Sequence, residues 1–520
     1  MKNILVLFTI FLTFFSSCQK KETQETRKLT LNFQEGDLPS LHPHDLMIHL
    51  RGLSIAKTLY EGLTRIDETG KAVLTGAESY QVSPNGMCYT FTLRPNSWSD
   101  GAPVLATQYE AAWKEALSPS SDCSRADLLY MIRNAEAAKR GDVPVEEVGI
   151  KALDEMTLEI SLEYPSPLLL ELLAQPICFP LIHPQEKQMH AFNGPFVVDI
   201  WAKGDKINLK PNPLFWNCES VGLDEIEVYM IEDSMTAYAL FEKEELDWVG
   251  LPLSPLTTEM LTRLENQEKL YSHPVDRAFW IFLNTEHPVL SSAKIRQALN
   301  LALDRKSITD HILKGGTPLE KSLPFSLLSI IPPHLFSKNE ALAQIKLAEG
   351  LEEIGYTKED LPPLVITYSQ QANRKQVAEY LQESWMKTLG IPIQLKSEEW
   401  NVLRSNLEKG EYIISAAYEA AFYNDPLELL ERFITINPCN FPRWTHPEFG
   451  KLVTEAKYET DQERRLELLS KAEQLMMEEL PFIPVSTDTL FFTHPEGLTG
   501  YCFDFVGAVD FSKASFSGRR

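Results

Sequence analysis

The sequence predicts an α/β fold of several domains, on three observations. Strand-like and helix-like segments alternate from 276 to 485, the pattern of a sheet covered by helices. Hydrophobic residues make up 44% of the chain and charged residues 23%, so core material is ample and a disordered chain is excluded. The length is 520 residues, which at roughly 150 per domain suggests about three domains.

The elements follow in order. Residues 29–33 (LTLNF) read as a strand, and 38–51, broken by Pro39 and Pro43, as a loop. Residues 53–63 form a short amphipathic helix by their apolar spacing. Three strand-like runs come next, LTRID, AESYQVS and CYTFTLR, joined by the turn sequences DETGK and SPNG. Gly101 and Pro103 make a turn, Thr107 is placed to cap, and Tyr109 to Leu117 continue as a helix. Residues 146–162 read as a hairpin turning at Asp154 and Glu155, and 168–175 as an apolar helix. The stretch 195–232 is strand-rich, with NPLFWN an irregular loop, and 234–245 and 255–266 are helical. AFWIFL at 278–283 is too uniformly apolar for an edge and predicts a buried strand. Residues 292–313 space their apolar side chains as one long helix. Helices at 340–355, 372–389 and 462–479 then alternate with strands at 364–368, 391–396 and 411–416.

Charge and the N-terminus bear on where such a chain works. Lys plus Arg number 49 against 73 Asp plus Glu, a net charge of −24. So acidic a surface repels phosphate backbones, which argues against nucleic acid as a partner. Lys2, the 12-residue apolar run Ile4 to Phe15 and the small pair Ser16-Ser17 match a secretory leader and are too short to span a bilayer. Cys18 and the polar run after it resemble the lipobox of bacterial lipoproteins, with Phe15 where that motif usually has Leu. The resemblance implies removal of 1–17 and lipidation of Cys18; the alternative is a plain signal peptide cut near Ser17. Six further cysteines permit up to three disulfides in an exported chain, with 15 pairings open, and none forms a CxxC. Cys88, on a strand with Thr90 and Thr92, is as open to a free thiol as to a bridge.

No HExxH, GxSxG or Walker sequence is present. Ser54-Ile-Ala-Lys57 matches the SxxK of penicillin-binding enzymes, but the SDN and KTG partners are missing, Lys314-Gly-Gly being the nearest imitation. An enzyme is therefore not expected, nor a cofactor. His42, His44 and His49 with Asp45 are the residue types that ligate zinc, nickel or copper. Prolines break that loop and no second cluster supports it, so no metal site is expected there.

Nine blocks taken together resemble a family. They are LHP at 41–43, LYEGL at 59–63, WSDGAPVLATQYEAAW at 98–113, VGIKALDEMTLEISLEYPSPLLLELL at 148–173, NGPF at 193–196, NPLFWN at 212–217, KIRQALNLALDRKSI at 294–308, YNDP at 423–426 and ELPFIPV at 479–485. In that order they look like the substrate-binding lipoproteins of oligopeptide and dipeptide ABC importers, the bacterial extracellular solute-binding proteins of family 5. The resemblance implies a two-lobed periplasmic-binding-protein fold of type II with an inserted domain, closing on its ligand by hinge motion. It implies a first lobe from 29–58, 190–275 and 486–520, an inserted domain at 59–189 and a second lobe at 276–485, after a leader at 1–17 and a polar linker at 18–28. The chain would then be a monomer held to the membrane by its lipid, handing peptides to permease subunits in the cell envelope.

The same resemblance implies where ligand is held. Relatives grip peptides through backbone hydrogen bonds, as an added strand does, and many meet the free amine with the Asp of a DYNEP-like segment. Here that segment reads Phe422-Tyr423-Asn424-Asp425-Pro426, so Phe422 replaces the Asp. Positions where relatives often carry Arg appear as Ala416 and Leu407. A buried ammonium without a partner is costly, so Glu419 and Asp425 are the nearest substitutes, against the alternative that both are solvated surface charges. Phe422, Tyr423, Asn424, Tyr130 and Trp400 complete the expected ligand contacts. The alternatives are the same fold around a cell-wall peptide, a metal chelate or haem, and an envelope lipoprotein acting as an interaction or chaperone module.

Overall fold

The computed structural model describes residues 27–34, 36–166, 168–186, 189, 191–319, 337–370, 373–420 and 425–517. The expected leader, Cys18 and most of the linker lie outside them, as do Phe422, Tyr423 and Asn424.

Three larger sheets organise the chain into the mixed α/β, two-lobed architecture. The first orders Lys28–Asn32, Glu225–Tyr229, Lys206–Pro211 and Phe196–Ala202, parallel only at its first pairing. The second orders Ala77–Val82, Cys88–Leu93, Thr157–Ser161 and Ile150–Ala152, wholly antiparallel. Its Cys88–Leu93 strand buries Tyr89, Phe91 and Leu93 and leaves Cys88, Thr90 and Thr92 on the more open face. The third has six strands, in the order Val249–Gly250, Phe482–Thr493, Tyr271–Leu283, Ile414–Ala420, Leu364–Ser369 and Ile393–Glu398. Leu364–Ser369 runs parallel to both of its neighbours, and the long central pair is antiparallel.

That central pair explains the apolar run at 278–283. Ala278, Trp280 and Phe282 enter one hydrophobic core, while Phe279, Ile281 and Leu283 enter another. Alternating side chains point to opposite faces, so a strand with a core on each face must be apolar at every position. Both long strands run without a break across positions 276 and 486. Loss of exposure of a Phe or Leu there contributes about 1.5–3 kcal/mol per side chain.

Several elements depart from expectation for local reasons. The helix expected at 292–313 is broken: Ala293–Leu301 ends, Asp304 caps a new turn by accepting from Ser307 N, and a π-helical turn covers Ile308–Leu313. Ser, Asp and Asn offer the backbone local partners and so interrupt apolar periodicity. The helix Ala106–Ala116 starts before Thr107, because Gln108 Oε1 accepts from Leu105 N at 2.9 Å, the reaching-back half of a capping box. The pair Gly315-Gly316 lets its loop lie on the strand Phe482–Thr493. A Cβ on Gly316 would stand 2.0 Å from Thr487 O, and its φ of +79° favours glycine independently. The KTG-like sequence is thus a close-packing device. All six described cysteines are free thiols.

Candidate functional site

A cleft of about 810 Å³ opens against the long-strand pair. One wall comes from the start of the helix Leu50–Leu59 and the loop around Leu251–Leu256, the other from the helix Trp400–Lys409 and the strand Ile414–Ala420. Ser124 and Arg125, from the chain between the second sheet's strands Cys88–Leu93 and Ile150–Ala152, also line it. Its lining is therefore assembled from segments hundreds of residues apart.

The strands aim its charges. Val275 pairs with Asp488 and Ala278 with Thr487, so Asp276 and Arg277 form a bulge against the partner strand. A bulge re-aims a side chain, and Arg277 Nε donates to Asp488 Oδ2 at 2.7 Å. The Arg277 guanidinium also lies over the Tyr418 ring at 4.7 Å. Burial, with the neighbouring Asp488 adding to it, pushes the Tyr418 phenol up to about 12, so it is neutral at ordinary pH. Arg374, at the start of the helix Arg374–Leu389, has its guanidinium carbon 4.9 Å from the ring centres of both Phe279 and Tyr418. Its burial works against the charge and lowers its pKa, yet a guanidinium starts so high that it stays protonated.

A second network closes one end. Arg432 Nη1 donates to Glu419 Oε2 at 2.6 Å, and Nη2 donates to Glu428 and, at 3.0 Å, to Ala420 O. Arg125 Nη2 meets Glu428 at 3.5 Å and Asp127 at 2.9 Å. Burial opposes the Arg432 charge, but Glu428 and Glu419 outweigh it and hold the group above its ordinary value.

The structure places the expected residues differently. Trp400 and Glu419 line the cleft; Trp400 opens its helix behind Glu399, which accepts from Asn401 N and Val402 N. Glu419 is engaged by Arg432 and is not a solvated surface charge, its side chain being 12% exposed. Asp425 is buried and away from the cleft lining, where it caps Pro426–Leu430 by accepting from Leu427 N at 2.9 Å and pairs with Arg465. Tyr130 stands half-buried beside the second sheet's core, its phenol raised to about 12 by burial with Asp127 next in effect, and is also off the lining. Arg277, Arg374, Arg432 and Asp488 were not singled out by the sequence. For Arg277 and Asp488 the one signal is a charge set directly against an apolar strand run, as in DRAFWIF and STDTLFF; Arg374 and Arg432 lie on helical segments and carry no such signal.

Two tempting motifs are engaged elsewhere. Ser54 Oγ donates to Leu50 O and accepts from Val509 N, and Lys57 pairs with Asp504 at 3.1 Å, all of them buried. His42 Nε2 lies 3.2 Å from Pro184 O, and its Nδ1 accepts from His44 N at 3.3 Å. Among the described residues no group of three His, Cys, Asp or Glu side chains is placed to hold a metal ion.

Comparison with known proteins places this geometry. The family model described as bacterial extracellular solute-binding proteins, family 5 Middle, matches residues 72–437. The chain is 33% identical to the oligopeptide-binding protein OppA of Bacillus subtilis, over 99% of each chain. It superposes on the substrate-binding domain of an oligopeptide ABC transporter from Bacillus anthracis with a TM-score of 0.81, at 25% identity, covering 95% of this chain and 99% of that one. The murein tripeptide binding protein MppA of Escherichia coli shares the fold with a TM-score of 0.84 at 22% identity, covering 95% and 99%. With these matches along most of its length, the chain belongs to the bacterial extracellular solute-binding proteins of family 5.

Proposed function

We propose that this chain is the extracytoplasmic peptide receptor of an ABC importer, enclosing an oligopeptide in the cleft and delivering it to a membrane permease. The carrying observation is the identity to an oligopeptide-binding relative along 99% of both chains. The cleft agrees with it: Trp400, Tyr418 and Phe491 offer apolar surface, and guanidinium groups offer hydrogen-bond donors. Such a mixture of apolar wall and a few fixed polar groups is what small-ligand clefts use.

The division of the chain proposed with this function is a first lobe from 29–58, 190–275 and 486–520, an inserted domain at 59–189 and a second lobe at 276–485. The joints then fall within the strands Tyr271–Leu283 and Phe482–Thr493, where the register shifts between Val275 and Ala278 support bending. Cys18 is the proposed lipid attachment, supported by the apolar run and small residues before it, and the receptor acts as a monomer. Phe422 in place of the amine-binding Asp favours a second reading, in which the ligand is a cell-wall peptide, in line with the murein tripeptide relative.

Small-angle scattering tests closure. A pool of random tetra- and pentapeptides at saturation should shrink the radius of gyration and raise thermal stability. A ligand at 100 times its Kd contributes about 2.7 kcal/mol. Stabilisation with an unchanged radius would argue for a rigid module, and no stabilisation would argue against peptides.

A further inference from the structure

The proposed inserted domain, built on the second sheet, is tied to the proposed first lobe by its own charged and polar groups. Arg65 pairs with Asp510. Asn96 Nδ2 donates to Asn193 O at 2.9 Å, and its Oδ1 accepts from Trp216 N at 3.0 Å. Ser99 N donates to Phe192 O at 2.9 Å. These ties make the inserted domain travel with the first lobe.

The same domain also touches the proposed second lobe. Arg125 Nη2 meets Glu428 at 3.5 Å. Tyr164, which does not line the cleft, is seated at the end of the helix Pro447–Tyr458. Its ring meets that of Tyr458 edge to face with centres 6.0 Å apart, and Lys457 Nζ stands 4.6 Å from its centre while pairing with Glu431 at 3.1 Å. Tyr164 is only 5% exposed. The arm that carries it is stiff. Leu162 N donates to Met87 O and Glu163 N to Met131 O, at 2.8 Å each, and Ser166 O beyond it accepts from Tyr89 Oη at 3.0 Å. Anchored on both sides, Tyr164 moves with the second sheet. Separation of the lobes therefore has to draw the ring away from Lys457 and Tyr458 and expose it to water, which is unfavourable.

We propose that Tyr164, seated against Lys457 and Tyr458, is a clasp that holds the inserted domain to the second lobe and keeps the cleft partly closed even without ligand. This rests on the two-lobed closure proposed above and not on which ligand fills the cleft. The role is one of positioning, because Tyr164, Lys457 and Tyr458 all stand outside the cleft lining.

Two variants of the full chain test it. Tyr458→Ala trims a ring that is 55% exposed, so the fold should survive, and Tyr164→Ala removes the clasp itself. Small-angle scattering of the ligand-free variants should give a larger radius of gyration than that of the native chain, more so for Tyr164→Ala. The pool of random tetra- and pentapeptides at saturation should return both to the native saturated radius. Its half-saturating concentration, read from thermal stabilisation, should rise up to about 10-fold in Tyr458→Ala and up to about 100-fold in Tyr164→Ala, the range of one and of several ring contacts acting on a closing equilibrium. Ligand-free radii equal to the native one overturn the proposal. So does an unchanged half-saturation, or a larger radius that peptide does not reverse, since the contact would then belong to a rigid unit. Should Tyr164→Ala fail to fold, Tyr458→Ala decides. A pool that fails to stabilise the native chain overturns the peptide reading, and the ligand-free radii then decide this inference alone.

Discussion

Replacing Arg432 by Met keeps an unbranched apolar stem and removes the guanidinium with its charge, which makes it a probe of the network around Glu419 and Glu428. The guanidinium donates to Glu419 at 2.6 Å, to Glu428 and to Ala420 O at 3.0 Å, and is 11% exposed. Its loss leaves Glu419, at 12% exposure, without its partner, while Glu428 retains Arg125 at 3.5 Å. Breaking a buried pair typically costs about 3–5 kcal/mol, chiefly because the surviving charge is stranded. With Arg125 still serving one carboxylate, the lower end, about 3 kcal/mol, is expected in urea unfolding. The double variant Arg432→Met with Glu419→Gln removes the stranded charge and should recover about 1–2 kcal/mol, a coupling expected between residues in contact. A single variant that loses under about 1 kcal/mol, or a double variant no better than the single, would refute the reasoning.

Asp425→Asn keeps an oxygen to cap Pro426–Leu430 but ends the pair with Arg465; it should lower stability by about 2–4 kcal/mol and leave peptide affinity unchanged in calorimetry. Glu227 is desolvated, yet hydrogen bonds from Lys206, Lys28 and Tyr229 outweigh this and hold it down at about 2. Its contribution is therefore complete above its ordinary pKa of about 4.5 and fades as pH falls from there towards 2; urea midpoints measured across that range should decline less steeply in Glu227→Gln. Cys18→Ser should abolish incorporation of labelled fatty acid and release the chain from membranes, and undiminished labelling would exclude that anchor.

Local periodicity made much of the fold legible. The helix Gln462–Glu479 matches the expected range, and the uniform apolarity of 278–283 announced a strand with a core on each face. Where one residue switches local structure, periodicity misled: Asp304 stops a helix whose apolar spacing continues past it. The helices Trp400–Lys409 and Pro447–Tyr458 and the strand Phe482–Thr493 went unnoticed, the last because its polar residues Ser486, Thr487, Asp488 and Thr489 mask a strand that pairs along its whole length. The site was harder still. Trp400 and Glu419 are in the cleft wall, but the pairing of Arg277 with Asp488 spans 211 residues and depends on a bulge. Residue types are visible in a sequence, whereas register is not, and register decides which charges meet.

The central claim is that the cleft carries a peptide. Purification under native conditions, followed by denaturation and mass spectrometry of the released small molecules, tests it most directly. The account predicts short peptides in near-stoichiometric amount. Release of a stoichiometric non-peptide ligand, or no ligand from a protein that peptides also fail to stabilise, would contradict it.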